Sequence, residues 1–238
     1  MAFVHGKDSV VFVDNTDFSS YFANVDSATT ADVAESTTFG ATGDAKTYIA
    51  GMKDGTVGLA GFFDATADAT LQPLAKNGTD FDFFVGLNGY NQCIFGIGNI
   101  TNYGVSSPIG DIVATSLDVQ SDNGLFNGKV YFQGSDTSTG DMGTPFDNTS
   151  STSNGFGAIV VCTAVSGTSP THDIKVQHSA DNVTYTDLIT FTQITGASSE
   201  VKTVASGTTI NRYVRVLNTI GGSSTPTFTG FVAIARNN

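Results

Sequence analysis

From residue 156 onward the chain is a succession of six short runs: "FGAIVVCTAVSG", "HDIKVQHS", "VTYTDLITFTQI", "EVKTVAS", "NRYVRVLN" and "TFTGFVAIAR". Each is rich in β-branched and aromatic residues, and Gly, Ser, Thr, Asn and Pro lie between them. This spacing predicts an antiparallel β-sandwich, immunoglobulin-like or jelly-roll-like, over residues 156–238. The same pattern runs through the first half: "SVVFV" (9–13), "FSSYFANV" (18–25), "TVGLAGFF" (56–63), "DFDFFVGL" (80–87), "NQCIFGIGNITNYGV" (91–105), "DIVATSLDVQS" (111–121) and "GKVYFQG" (128–134). Asn88-Gly89 and Asn123-Gly124 read as hairpin turns, and "KDGT" (53–56) as another turn. Long helices need Leu, Glu, Lys and Arg, and only 13% of the chain is charged. One helix is predicted, "DATLQPLAKNG" (68–78), capped by Asp68 or Thr70, with Pro73 in its first turn and Gly78 as its stop. The fold class is therefore mainly β with one short α-helix.

Residues 134–155, "GSDTSTGDMGTPFDNTSSTSNG", are nearly all small and polar. They read as a linker between a first domain at 1–133 and a second at 156–238. Charge changes near the same place. Residues 1–150 hold five Lys and no Arg against 18 Asp and Glu, a balance of −13. Residues 151–238 hold two Lys and three Arg against four acids, a balance of +1. A chain that grips nucleic acid needs a basic stripe, and here the excess has the opposite sign. In "TVGLAGFF", Val57, Leu59 and Phe63 fall on one face, with Gly58 and Ala60 on the other, which predicts a second layer lying close to the small face.

Catalytic and metal chemistry finds little to stand on. There is no GxSxG elbow, no phosphate-binding loop and no GxGxxG after a strand. His172 and His178 share a strand face, but no cluster of acidic or Cys ligands accompanies them, and a zinc site needs three or four. "DNTD" (14–17) resembles half of a calcium loop without its Gly and distal Glu, and reads as a turn. Most Asp residues adjoin Gly, Asn, Ser or Thr, where they serve turns. Cys93 and Cys162 sit in apolar runs and read as buried free thiols. No cofactor is implied and no enzyme activity is expected. No apolar run is long enough to span a membrane as a helix. "MAFVHGKDSV" does not read as a signal peptide, so synthesis in a cytoplasm is expected.

Several features follow one another in a familiar order over residues 10–130. They are "DFSSYF" (17–22), a long polar segment, "TTFG" (37–40), "KTYIAGMKDGTVGLAGFFD" (46–64), the helix, and "GIGNITNYGVSSPIGDIVATSLDVQSDNG" (96–124). In this order the chain resembles the tail tube (major tail) proteins of long-tailed, siphovirus-like bacteriophages. It departs from them at Ala50, where the family often has Pro. The C-terminal runs resemble the extra β-sandwich that some of these proteins carry on the outside of the tail. The resemblance implies a tail-tube-type β-sandwich or barrel domain at 1–133. It also implies a non-enzymatic virion protein that assembles with itself into rings, usually hexameric, stacked as a tube. Its partners would be further copies of the chain and the tape measure, tail terminator and distal tail proteins. DNA would pass through the lumen without specific binding, and nothing would insert in a membrane.

In that setting residues 34–45 read as chain that orders against a neighbouring subunit. Glu35, Ser36, Thr37, Thr38, Phe39, Gly40, Asp44, Lys46 and Tyr48 are the candidate stacking residues. Tyr185 and Tyr213 are the residues available for a host-surface glycan, since the chain has no Trp. Two other readings stand beside this one: a capsid decoration or baseplate protein, and a carbohydrate-binding β-sandwich module.

Overall fold

The computed structural model describes residues 6–38 and 45–237. A single 3-10 turn (Gly6–Asp8) precedes thirteen strands and one α-helix. The first four strands are β1 (Val10–Val13), β2 (Thr16–Asp17), β3 (Phe22–Glu35) and β4 (Tyr48–Phe62). Helix α1 (Ala65–Asn77) follows, then β5 (Phe81–Tyr90), β6 (Cys93–Ser106) and β7 (Ala114–Asp136). The rest are β8 (Gly140–Asp141), β9 (Phe146–Asp147), β10 (Phe156–Ser179), β11 (Thr186–Thr190), β12 (Ser198–Val204) and β13 (Tyr213–Arg236). The strand pairings β1–β2, β1–β5, β3–β4, β4–β7, β10–β11, β10–β12, β10–β13 and those of β13 with β7, β8 and β9 are all antiparallel.

The chain forms two compact units that are discontinuous in sequence. One comprises residues 6–20, 81–96 and 126–237; the other comprises Tyr21–Asp80 apart from 39–44, with Ile97–Leu125. In the first unit β10 and β13 form a long hairpin that contributes to two sheet layers. The early part of β10 lies between β12 and the late part of β13, which in turn pairs with β7. The late part of β10 lies between β11 and the early part of β13, which also pairs with β8 and β9. Between the layers Phe156, Val160, Phe228 and Val232 meet Ile174, Val176, Val214 and Val216, all buried.

The first of these layers is buried on its other face too. Ile159 pairs with Ala233 and Val161 with Phe231, and all four are inaccessible or nearly so. Phe12 of β1 and Phe84 of β5 cover them, with ring centroids 5.0 and 4.4 Å from Phe231. The Phe126 ring lies against Gly157, where a Cβ would come within 2.4 Å of it. This explains why "FGAIVVC" and "FTGFVAIA" are nearly continuous apolar runs. A strand wetted on one face alternates, and one covered on both faces does not.

Residues 134–155 are not the unpacked linker that their composition suggests. They include the end of β7 together with β8 and β9, each paired with β13. Met142 is buried in the sandwich core and Phe146 packs against it. Two apolar side chains and backbone pairing suffice to fix a segment that is otherwise small and polar.

In the second unit, β3, β4 and the first part of β7 lie side by side. Val57, Leu59, Leu117 and Val119 are buried, as are Ala67 and Leu71 of α1. Tyr103 of β6 donates from Oη to Asp68 Oδ1 of α1 at 2.8 Å. The helix starts three residues earlier than the sequence suggests. Asp64 is its cap, accepting from the Thr66 and Ala67 N–H groups at 2.8 and 3.2 Å. Pro73 is consequently inside the helix rather than in its first turn. It lies on the exposed side with Ala69, the residue to which its ring nitrogen has no N–H to donate. Gly78 closes the helix in the left-handed region, φ 58°.

Two of the expected turns are absent. "KDGT" lies within β4, and Asn123-Gly124 lies within β7. The second pair does adopt the backbone that Asn and Gly favour, φ 63° and 83°, but the chain continues as a strand. Asn88-Gly89 does form a hairpin turn: Asn91 N–H donates to Asn88 O at 3.2 Å, with Gly89 at φ 57°.

Candidate assembly surface

The β3–β4 ribbon is the feature on which the expected stacking residues converge. Its pairing runs from Phe22↔Gly61 to Glu35↔Tyr48. β7 supports β4 only from Thr56 to Phe62. Leu125 and Ser121 of β7 still cover Gly55, and Gln120 reaches Asp54. From Ala31↔Lys53 to the tip no third strand pairs with these two among the described residues, a reach of roughly 15 Å at ~3.3 Å per residue. Among the described residues β3 pairs with no strand but β4, which leaves its outer edge without a strand partner there. The ribbon end presents apolar side chains to solvent: Val33 and Ile49 are each 63% exposed and Tyr48 55%. Two strands with no core are marginal in water by themselves, and exposed strand edges invite pairing.

The tip is held by its own side chains. Lys46 Nζ lies 2.8 Å from Glu35 Oε2. Ser36 N–H donates to Thr47 O at 2.8 Å, and Thr47 N–H to Thr37 Oγ1 at 3.0 Å. Glu35, Ser36, Thr37, Lys46 and Tyr48 are thus brought together, and Thr38 is exposed next to them. Phe39, Gly40 and Asp44 lie outside the described residues. Tyr48, Ile49, Gly51 and Asp54 are exposed on this ribbon, and β4 enters the core at Gly55, Val57 and Leu59.

One face of the same sheet carries a row of carboxylates that sequence reasoning did not assign. Asp26 pairs with Gly58, and Gly58 with Asp118, on three adjacent strands. A Cβ on Gly58 would stand 3.6 Å from Asp118 Oδ1 and 3.8 Å from Asp26 Cβ. The expected second layer over Gly58 is replaced by these two side chains. Asn102 Nδ2 donates to Asp118 Oδ2 at 2.9 Å, and Asn24 Nδ2 to Asp26 Oδ2 at 3.2 Å. Asp54, near the base of the free ribbon, accepts from Gln120 Nε2. The signal was present as alternation, since Asn24 and Asp26 on β3 and Ser116, Asp118 and Gln120 on β7 recur at period 2. Small residues on β4 concealed it.

Elsewhere Tyr185 and Tyr213 each have a guanidinium over the ring. Arg215 Cζ lies 3.8 Å and Arg212 Cζ 4.8 Å from the respective centroids. Tyr185 Oη also donates to Asn182 Oδ1. His172 is fully buried, with Nδ1 3.3 Å from Asn218 Nδ2, and Asn218 Nδ2 donates to Asp136 Oδ2 at 2.9 Å. His178 Nδ1 accepts from Asn211 N–H at 3.0 Å. No group of three or more His, Cys, Asp or Glu that could hold a metal occurs among the described residues. Cys93 and Cys162 are buried free thiols, with burial pushing Cys93 up to about 12 and Cys162 to about 11. No helix among the described residues is long and apolar enough to cross a membrane.

No family model matches the sequence, and neither does any curated protein. Solved structures do match. A chain from the virion of a native gene transfer agent particle gives a TM-score of 0.45 at 17% identity, over 51% of this chain and 95% of that one. The SPP1 tail tube gives 0.41 at 14% identity, over 53% and 79%. The SPP1 Dit protein, described as a hub adsorption apparatus of phages infecting Gram-positive hosts, gives 0.40 at 11% identity, over 95% and 98%.

Proposed function

We propose that the chain is a non-enzymatic virion protein, a self-assembling subunit of a phage-type tail tube. The observation that carries the reading is the end of the β3–β4 ribbon. It is wet on both faces, open at its β3 edge, and tipped with Val33, Tyr48 and Ile49. A second copy would cover the apolar tip and pair the open edge, which removes the two costs that the isolated ribbon bears. A contact between unlike surfaces of identical chains repeats, and closes into rings when its rotation closes. In this reading the rings are hexameric and stack into the conduit through which DNA is ejected.

The face bearing Asp26, Asp54 and Asp118 lines the lumen in the same reading. Carboxylates facing DNA phosphates would repel them and let the polymer slide, by the electrostatics that make basic grooves hold it. Residues 156–238 lie on the outside, with Tyr185 and Tyr213 offered to a host-surface glycan. The other tail partners are tape measure, terminator and distal tail proteins. Electron microscopy and sedimentation of the purified chain test the proposal. Rings or tubes are expected above a threshold concentration. A stable monomer at every concentration, including with tail initiation proteins added, would overturn it.

A further inference from the structure

The first unit contains a cleft of about 690 Å³, within the range of sites that hold small ligands. Its floor is apolar: Cys93, Phe156 and Ile234 are all buried. Its rim carries Lys129, Arg236 and Asp147. The three charges are not equivalent. Asp147 is bound in bidentate fashion by Arg212, with Nε and Nη2 both 2.6 Å from its oxygens, and this pair holds its carboxyl down at about 2. Of the three arginines, Arg212 and Arg215 each hold a carboxylate. Arg236 has none among the described residues. Its Nη1 and Nη2 donate to the main-chain oxygens of Asn148 and Ser150, and its Nε is enclosed without an acceptor. Carbonyls orient a guanidinium but do not neutralise it. Lys129 pairs directly across from Ile234 on the adjacent strand, so its side chain rises from the same face, and it makes no ion pair among the described residues.

We propose that this cleft is a binding site for a carboxylate carried on a small apolar group, with Arg236 as the anchoring cation and Lys129 as the second. A partly desolvated cation with no counter-charge is costly, and a carboxylate supplies both the charge and acceptors for the guanidinium. The apolar floor selects an organic monoanion over a compact, strongly hydrated one. Burial pushes Arg236 below its usual value, and an anion would reverse that. The ligand could be a free organic acid or an Asp or Glu side chain on a peptide, since the chemistry is shared.

The test is calorimetric titration of the full chain with 3-phenylpropionate, with its neutral amide, and with acetyl-Phe-Glu-amide. Saturable binding of the acid at least about tenfold tighter than the amide is expected, one charge-assisted hydrogen bond being worth about that factor. Arg236→Gln should weaken it by about tenfold or more. Lys129→Ala, on the exposed rim, should weaken it by a smaller factor while leaving the thermal melt unchanged. Tighter binding of the dipeptide assigns the site to a peptide, and tighter binding of phenylpropionate assigns it to a free acid. Absence of saturable binding in both arms would overturn the proposal. So would equal affinity for acid and amide, or wild-type affinity in both folded variants.

Discussion

Asp26 and Asp118 stand on either side of Gly58, on one face of three adjacent strands, with no side chain between them. Two carboxylates at this spacing repel each other and any phosphate that approaches. If this face lines a tube, Asp26→Lys with Asp118→Lys should leave assembly intact and change what the lumen does. Tubes of the double variant should retain DNA in a filter assay at low salt and release it as salt rises. Wild-type tubes should retain none. Equal retention by both would remove this face from the lumen.

Val33 and Ile49 are on opposite strands of the ribbon end, and both are largely exposed. Covering each on assembly would contribute about 1.5–3 kcal/mol. Val33→Asp and Ile49→Asp should therefore each raise the threshold concentration for polymerisation by about tenfold or more. The monomer's melting temperature should barely move, because neither residue belongs to a core. Unchanged polymerisation in both variants would mean that the ribbon end is not an assembly contact.

Phe231 is the hinge of the three-layer packing, touched by Phe12, Phe84 and Tyr90. Phe231→Ala should cost about 3–5 kcal/mol in chemical denaturation. Phe231→Leu, which keeps most of the volume, should cost much less.

His172 predicts an acid-sensitive fold. Burial holds its pKa below the usual value, against the opposing pull of its Asn218 contact and of Asp136 and Asp173. A histidine depressed in the folded state contributes stability that is complete above its unfolded value, about 6.5, and is lost as pH falls below it. His178, also depressed by burial, adds to the same slope. Asp14 and Asp82 act in the opposite sense. Burial raises both, so their penalty fades as pH falls toward the ordinary carboxylate range. The urea midpoint should thus decline from pH 7 to 5.5, and His172→Leu should flatten that decline whatever it does to the midpoint at pH 7.

Strand identity was readable because the physics is local. "SVVFV" and "DFDFFVGL" fall on strands. The six C-terminal runs fall on four strands, the first two sharing β10 and the last two sharing β13, with "VTYTDLITFTQI" being strand only over Thr186–Thr190. Gly78 stops the helix where a left-handed residue is needed. What could not be read depends on partners far along the chain. Met142 and Phe146 look stranded in a polar segment until β13 is seen beside them. Asn123-Gly124 has the dihedral preference of a hairpin, yet its neighbours on β7 are claimed by β4 before it and β13 after it. At the candidate surface, the order of motifs points to Glu35, Lys46 and Tyr48, which the structure places side by side at the ribbon end and which are proposed as stacking contacts. Asp26, Asp54 and Asp118 were hidden because only register shows which acids share a face.

The interleaving of the two units also constrains how this chain can be divided. The backbone passes from one unit to the other after Ser20, Asp80, Gly96 and Leu125. No single cut therefore releases either one intact, and no truncation from either end removes one cleanly. A protease nick in the tip would leave both halves anchored in the same fold. An exchange of outer parts between related genes by one crossover would divide a unit rather than transfer it.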